Sequence, residues 1–208
     1  MEENILFILQ GLGLTVKIYA VTMILSLPLG VILSLGRISK HKLINNSIQL
    51  YTWIFRGTPL LLQLFFVYYG LPVIGLTLSP FTAAALTFVI NYTAYFCEIF
   101  RGSILGIDKG QYEAAKVLGM SYAQTMIRIV IPQALITALP PLTNEAIALI
   151  KDTSLISAIG MAEILRNSRE LVTRDFSITP FIICAAIYLV ISTVVVLVCK
   201  KLEKKVMI

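Results

Sequence analysis

Charge is scarce in this chain. Asp, Glu, Lys and Arg make up 13% of its 208 residues, hydrophobic residues make up 58%, and the mean hydropathy is +0.88. So little polar surface cannot cover a water-soluble fold, which excludes an ordinary soluble domain. Histidine is nearly absent as well. The single His41 sits in a basic loop beside Lys40 and Lys42, so a two-histidine zinc protease helix is excluded and a Ser-His-Asp triad would depend on one solvated side chain. The phosphate-cradling pattern of Gly, four residues, Gly, Lys and Ser or Thr does not occur, so the chain does not hydrolyse ATP by that route. No catalytic constellation remains. The three cysteines, Cys97, Cys184 and Cys199, lie in or beside apolar runs without metal-ligand spacing and read as small core residues.

What is abundant is long apolar sequence. Runs near 5–36, 50–74, 80–100, 133–150 and 178–199 approach or exceed the roughly 20 residues that carry a helix across a bilayer. The sequence therefore predicts an all-α integral membrane protein with about five transmembrane helices. The fourth run holds Pro140, Pro141, Asn144 and Glu145, and is expected to be a broken or cavity-lining helix. The first lacks a basic leader and is longer than a signal core, so it is expected to stay as a membrane helix. Ser26, Gly30 and Ser34 recur at four-residue spacing, which permits close helix contact.

Cytoplasmic loops carry the excess of Lys and Arg. With the N-terminus outside, the inner side holds Arg37, Lys40, Lys42, Arg101, Lys109, Lys116, Arg128, Lys200, Lys201, Lys204 and Lys205, eleven of seventeen basic residues. The C-terminus is then cytoplasmic. The net charge of +6 is mostly this bias, and the Lys-rich tail is expected to contact anionic headgroups. No basic patch is interleaved with aromatics, so no nucleic acid is expected.

Between the third and fourth runs lies a polar insert, residues 107–132, that spells two short helices. Asp108 and Gln111 are spaced as a capping box, with Ile107 and Tyr112 as a hydrophobic staple. Gly119 tolerates the left-handed conformation of a helix terminus, so the first helix ends and reverses there. Ser121 and Gln124 form a second capping box. That helix is expected to end near Ile131, with Pro132 opening the next membrane helix.

Glu113-Ala114-Ala115, then Gly119, then Ile129, Ile131 and Pro132 resemble the coupling loop of ABC importer permeases; only Ile131, where that family usually has Leu, departs from the pattern. Arg56-Gly57-Thr58-Pro59 with Gln63-Leu64-Phe65-Phe66 and Tyr68-Tyr69-Gly70-Leu71-Pro72, and Lys151-Asp152-Thr153-Ser154-Leu155, resemble the branch that moves polar amino acids, the histidine and glutamine type. The resemblance covers most of the chain and implies a single permease domain over 1–208 with the type I importer fold. It also implies a bacterial cytoplasmic membrane location and several partners: two copies of an ATP-binding subunit, a second permease as homodimer or heterodimer, and an extracytoplasmic amino-acid-binding protein. ATP and magnesium would bind on the partner ATPase, and no cofactor on this chain. The coupling residues would be Glu113, Ala114, Ala115, Gly119, Ile129 and Pro132.

Ionisable residues within membrane segments are costly and point to function by default. Glu98 and Arg101 are spaced for an intrahelical ion pair, while Lys17 and Arg56 are placed to snorkel. Asn91, Tyr95 and Glu98 share one helix face, either lining a cavity or bonding neighbouring helices. The stretch from Asn144 to Glu163, disrupted at Pro140-Pro141 and turning at Gly160, is where the pathway is expected, with Glu145, Asp152, Ser154 and Glu163 lining it. A Lys151-Asp152 structural pair with Glu145 facing a partner subunit is the alternative. Residues 161–175 alternate charged and apolar side chains, as in an amphipathic helix at the outer membrane surface, serving as a binding-protein platform or a solvated connector. Glu98, Glu145, Asp152 and Glu163 together favour a cationic amino acid. An ion-coupled secondary carrier or channel-like protein is the other functional class the carboxylates would fit.

Overall fold

The computed structural model describes residues 2–206, all helix and connecting turns with no strand among them. Ten helices follow one another: α1 (Glu2–Leu9), α2 (Leu12–Arg37), α3 (Lys42–Gly57), α4 (Leu60–Phe65), α5 (Pro80–Leu105), α6 (Lys109–Val117), α7 (Tyr122–Thr125), α8 (Ile131–Asp152), α9 (Ile164–Asp175) and α10 (Thr179–Val206). Four helical stretches are long and apolar enough to span a membrane, and a fifth span forms if the bent pair α3 and α4 counts as one. That agrees with the five expected from the sequence. α5 is the central helix, and Phe88, Tyr92, Phe96 and Phe100 on it pack with Ile18, Leu64, Leu149 and Ile156 into the main core.

Ser26, Gly30 and Ser34 are all buried on α2, and a methyl group on Gly30 would come within 2.6 Å of the Phe96 Cβ. Small residues here let the backbones of α2 and α5 approach closely, and in lipid such packing holds helices together without a hydrophobic driving force between them.

The second apolar run is not one straight helix from 50 to 74. Helix α3 starts earlier, at Lys42, and the chain bends by 102° before α4. Pro59 dictates the break: it forces Thr58 into an extended conformation (φ −118°, ψ 148°) and contributes no amide hydrogen. The carbonyls this frees are not left bare. The Gln63 Nε2 donates to the Phe55 and Thr58 carbonyls at 3.0 and 3.1 Å, and the Asn91 Nδ2 donates to the Phe55 carbonyl at 2.8 Å.

The fourth run corrects the expectation of a break at the prolines. Pro140 and Pro141 lie inside an uninterrupted α8. A gap there would expose several backbone groups to an apolar medium, whereas two prolines free only two carbonyls. The two carbonyls are those of Ile136 and Thr137, four residues before each proline. The departure from α-helix comes later, where residues Thr153–Ile159 tighten into a 3₁₀ helix that ends at Gly160 with φ +87°.

Helices α1, α9 and α10 form a second, smaller unit around Ile8, Ile164, Leu171 and Cys184. The Asn167 side chain donates to the Phe7 carbonyl at 3.0 Å, and the Arg174 Nη2 to Asn4 Oδ1 at 3.1 Å. Helix α9 does form within 161–175, but its buried face packs on α1 and α10. Ile164 and Leu171 are taken up by protein, while Met161, Leu165 and Val172 stay half-buried.

Candidate functional site

The insert is built by local rules. The Asp108 carboxylate caps α6 by accepting from the Gly110 amide at 2.6 Å; Gln111 does not close the box, because its own amide bonds the Asp108 carbonyl. Gly119 takes φ +72°, and the reversal is locked by two hydrogen bonds, Met120 N–H to the Ala115 carbonyl and Gly119 N–H to the Lys116 carbonyl. This paired pattern is the Schellman ending, which needs a left-handed residue where Gly119 stands. Ser121 and Gln124 complete a reciprocal capping box at the start of α7.

Pro132 does not follow a gap. The chain runs from α7 through a π turn, Met126–Val130, directly into α8, and the Ile131 amide reaches back five residues to the Met126 carbonyl. The wider turn makes room for a proline ring that would crowd the carbonyl four residues back in a regular helix. The resulting helical path, Tyr122–Ile159, is 38 residues long, or about 57 Å at 1.5 Å per residue, well beyond a hydrocarbon core of about 30 Å. At least one end of it must stand outside the hydrocarbon core; α6 and α7 adjoin the end that starts at Tyr122.

Ile104, Met126, Val130 and Ala134 form a buried cluster there, onto which Ile38, Ile107 and Tyr112 pack. Ala115 is fully buried, Glu113, Ala114, Gly119 and Pro132 are exposed, and Ile129 is half-buried. Around the turn the structure leaves large apolar side chains uncovered, with Val117 87%, Leu118 76% and Tyr122 67% exposed.

The polar residues of the spans do not converge on one cavity. Asn91 is buried and spends its amide on the Phe55 carbonyl and on Gln63 Oε1 at 3.0 Å, sealing the bend between α3 and α4. Tyr95, half-buried, lies under the Arg56 guanidinium, 5.4 Å from ring centroid to the guanidinium carbon. Glu98 pairs with Arg101 at 2.8 Å, as its spacing suggests, and also with Arg37 at 3.5 Å and Arg56 at 3.9 Å. Arg56 therefore lies beside a half-buried carboxylate instead of snorkelling away from the core. Lys17 lies over the Phe81 ring at 4.7 Å.

Asp152 accepts from the Tyr92 hydroxyl at 2.7 Å, and Lys151 is exposed, so the two neighbours do not form the structural pair. Glu145 is half-buried, and among the described residues no ion pair engages it. Ser154 lines a mostly apolar cavity of about 450 Å³ with Lys151, Phe181, Cys184 and Tyr188. Glu163 departs furthest from its expected place. It is fully buried and caps α9, one oxygen accepting from the Arg166 amide and the other from the Leu165 amide, both at 2.7 Å, with the Tyr188 hydroxyl at 2.9 Å. Burial pushes its carboxyl above the usual range, while the two amides and Tyr188 pull the other way. A side chain so enclosed lines no pathway in this chain.

Sequence reasoning assigned no site role to Arg37, Gln63, Tyr92 or Tyr188. The signal for the first was available: three arginines at helix ends with one acid among them cannot all be paired. The tyrosines gave none, since a membrane tyrosine is unremarkable until its partner is placed beside it.

This arrangement, a five-span helical bundle with a folded two-helix insert projecting from one end, matches known proteins along its whole length. Residues 26–208 match the family described as binding-protein-dependent transport system inner membrane component. A probable amino-acid ABC transporter permease of Bacillus subtilis, YckA, is 40% identical over 98% of this chain and 90% of its own. The arginine transport system permease protein ArtQ of the same organism is 39% identical over 96% of this chain and 92% of its own. Among solved structures, a chain of an amino acid ABC transporter with histidines superposes with a TM-score of 0.89 at 34% identity, covering 96% of this chain and 94% of that one. A chain of the inward-facing MetNI methionine ABC transporter shares the fold at TM-score 0.81 and 17% identity, over 99% of each. The chain belongs to the family of binding-protein-dependent transport system inner membrane components. It is the permease component of an amino-acid ABC importer and a multi-pass membrane protein.

Proposed function

We propose that this chain forms half of the pathway by which a polar, cationic amino acid enters the cell, and that ATP hydrolysed on a separate subunit drives it through the 107–132 insert. The observation that carries the reading is the insert itself. It is capped at both helices and locked at Gly119, and it holds Val117, Leu118 and Tyr122 exposed beyond the bundle. Apolar side chains displayed on a rigid element outside lipid suit a protein partner. Glu113, Ala114, Ala115, Gly119, Ile129 and Pro132 are the residues assigned to this coupling. ATP and magnesium belong on the ATPase, two copies of which would serve two permeases.

The insert end carries Lys40, Lys42, Lys109, Lys116 and Arg128, an excess that supports a cytoplasmic insert with the α1–α9 end outside. The outer end, with Arg166, Arg169 and Arg174 exposed or half-exposed on α9, is the side for a binding protein. Cationic preference rests on Glu145 and Asp152, two carboxylates of one span that no ion pair engages, and agrees with the arginine transport named for ArtQ. Asn91, Tyr95, Glu98, Asp152 and Ser154 support the pathway's walls, and Glu163 supports it only as a cap.

Tagged chain purified from its native membrane, with all co-purifying chains identified by mass spectrometry, tests the assembly. An ATPase bearing the phosphate-loop motif is expected; a single species would refute ATP coupling. Glu145→Gln should erase the preference for cationic over neutral amino acids in uptake, and an unchanged preference would remove the acidic selectivity.

A further inference from the structure

The Glu98 cluster is unbalanced. One carboxylate faces the guanidinium groups of Arg37, Arg56 and Arg101, leaving two positive charges uncompensated within the cluster. Arg101 holds Glu98 most closely, with both Nε and Nη2 at 2.8 Å. Arg56 is the furthest of the three, at 3.9 Å, and its side chain is 43% exposed. It borders a cleft of about 350 Å³ whose walls include Gln49, Trp53 and Glu98.

Helix α3 leads to that cleft along a polar lane. Lys42, Asn46, Gln49, Trp53 and Arg56 recur at alternating spacings of about four and three, which sets them on one helix face, and all five are exposed. Leu43, Leu50 and Ile54, also exposed, fall on a separate stripe roughly 100° around the helix, as lipid-facing residues would. The lane begins beside the Ser39–His41 turn, which shares a cavity with Tyr122 and Met126 of the insert end, and it ends at Arg56, next to the bend.

We propose that Arg56 binds the α-carboxylate of the transported amino acid as it passes along the α3 lane towards the insert end. An arginine meets a carboxylate in two parallel hydrogen bonds, a geometry no neutral side chain reproduces. The Tyr95 ring lies 5.4 Å from the guanidinium carbon, within reach of a cation–π contact that helps hold it. The α-carboxylate is common to all amino acids, so this contact recognises the class while Glu145 deals with the side chain. The inference rests on the reading of this chain as half of an amino-acid pathway.

The test is made on the transporter with its ATPase and binding protein in proteoliposomes, counting amino acids moved per ATP hydrolysed. Arg56→Gln should lower that ratio at least about tenfold, and Arg56→Lys, which keeps the charge, should recover part of it. A ratio unchanged in Arg56→Gln overturns the proposal, even if both rates fall together as they would from misfolding. Independently, with Cys199→Ser as background, Gln49→Cys should react with a water-soluble, membrane-impermeant thiol reagent applied from the insert side, and Leu50→Cys should not. An unreactive Gln49→Cys would mean that the lane is dry, which also overturns it. If the wild-type assembly shows no ATP-driven uptake at all, the functional reading fails instead.

Discussion

The Tyr92 hydroxyl donates to the Asp152 carboxylate at 2.7 Å, joining the middle of α5 to the last residue of α8 across 60 positions of sequence. Helix α8 gives way to the 3₁₀ turn directly after this bond. Tyr92→Phe leaves a half-buried carboxylate without its donor, a loss of about 1–3 kcal/mol. A fall in melting temperature of the detergent-purified protein is expected, and an unchanged melt would show that water replaces the hydroxyl.

Gly119→Val tests the turn of the insert. Nothing crowds the position in space, but φ is +72° there, and a branched side chain pays about 1–2 kcal/mol for that backbone conformation. Membrane insertion should persist while ATP hydrolysis stimulated by substrate drops. Unaltered stimulation would show that the insert does not transmit the signal.

Gly30→Ala tests the α2–α5 contact. The added methyl group would sit 2.6 Å from the Phe96 Cβ and 3.2 Å from the Cys97 amide nitrogen, so the helices must separate, at a cost of about 1–3 kcal/mol. Gly13→Ala, which meets no neighbouring atom within 4 Å, is the control and should unfold like wild type. Equal melting of all three proteins would show that α2 shifts freely.

Glu163 should give stability a pH dependence of defined sign. Its carboxyl is raised by burial, so the folded state holds the proton more tightly than the unfolded chain, whose value is about 4.3. The contribution is complete below that value and is lost as pH rises through the raised one. Glu163→Gln mimics the neutral carboxyl. Wild type should therefore lose melting temperature relative to the variant as pH rises above the unfolded value, and a constant difference would show that burial does not raise the carboxyl.

The features legible in the sequence were those set within a few residues. The Ser121–Gln124 box, the Asp108 cap and the turns at Gly119 and Gly160 formed where they were expected. Proline was the poorer guide, because its effect depends on what the surroundings supply. At Pro59 the side chains of Gln63 and Asn91 satisfy the freed carbonyls and the chain bends by 102°. At Pro132 a π turn absorbs the ring, and at Pro140 and Pro141 the helix simply continues.

The sequence by itself determined the solvent, the number of spans and the insert, since hydropathy and capping act over short stretches of chain. Tertiary structure alone decided the fate of the polar side chains. Glu98 met three arginines from three helices, Asp152 met Tyr92 instead of Lys151, and Glu163 closed on its own helix and Tyr188. In an apolar medium a buried charge is held by whichever donor is near, and nearness across helices is fixed by packing, which no local pattern records.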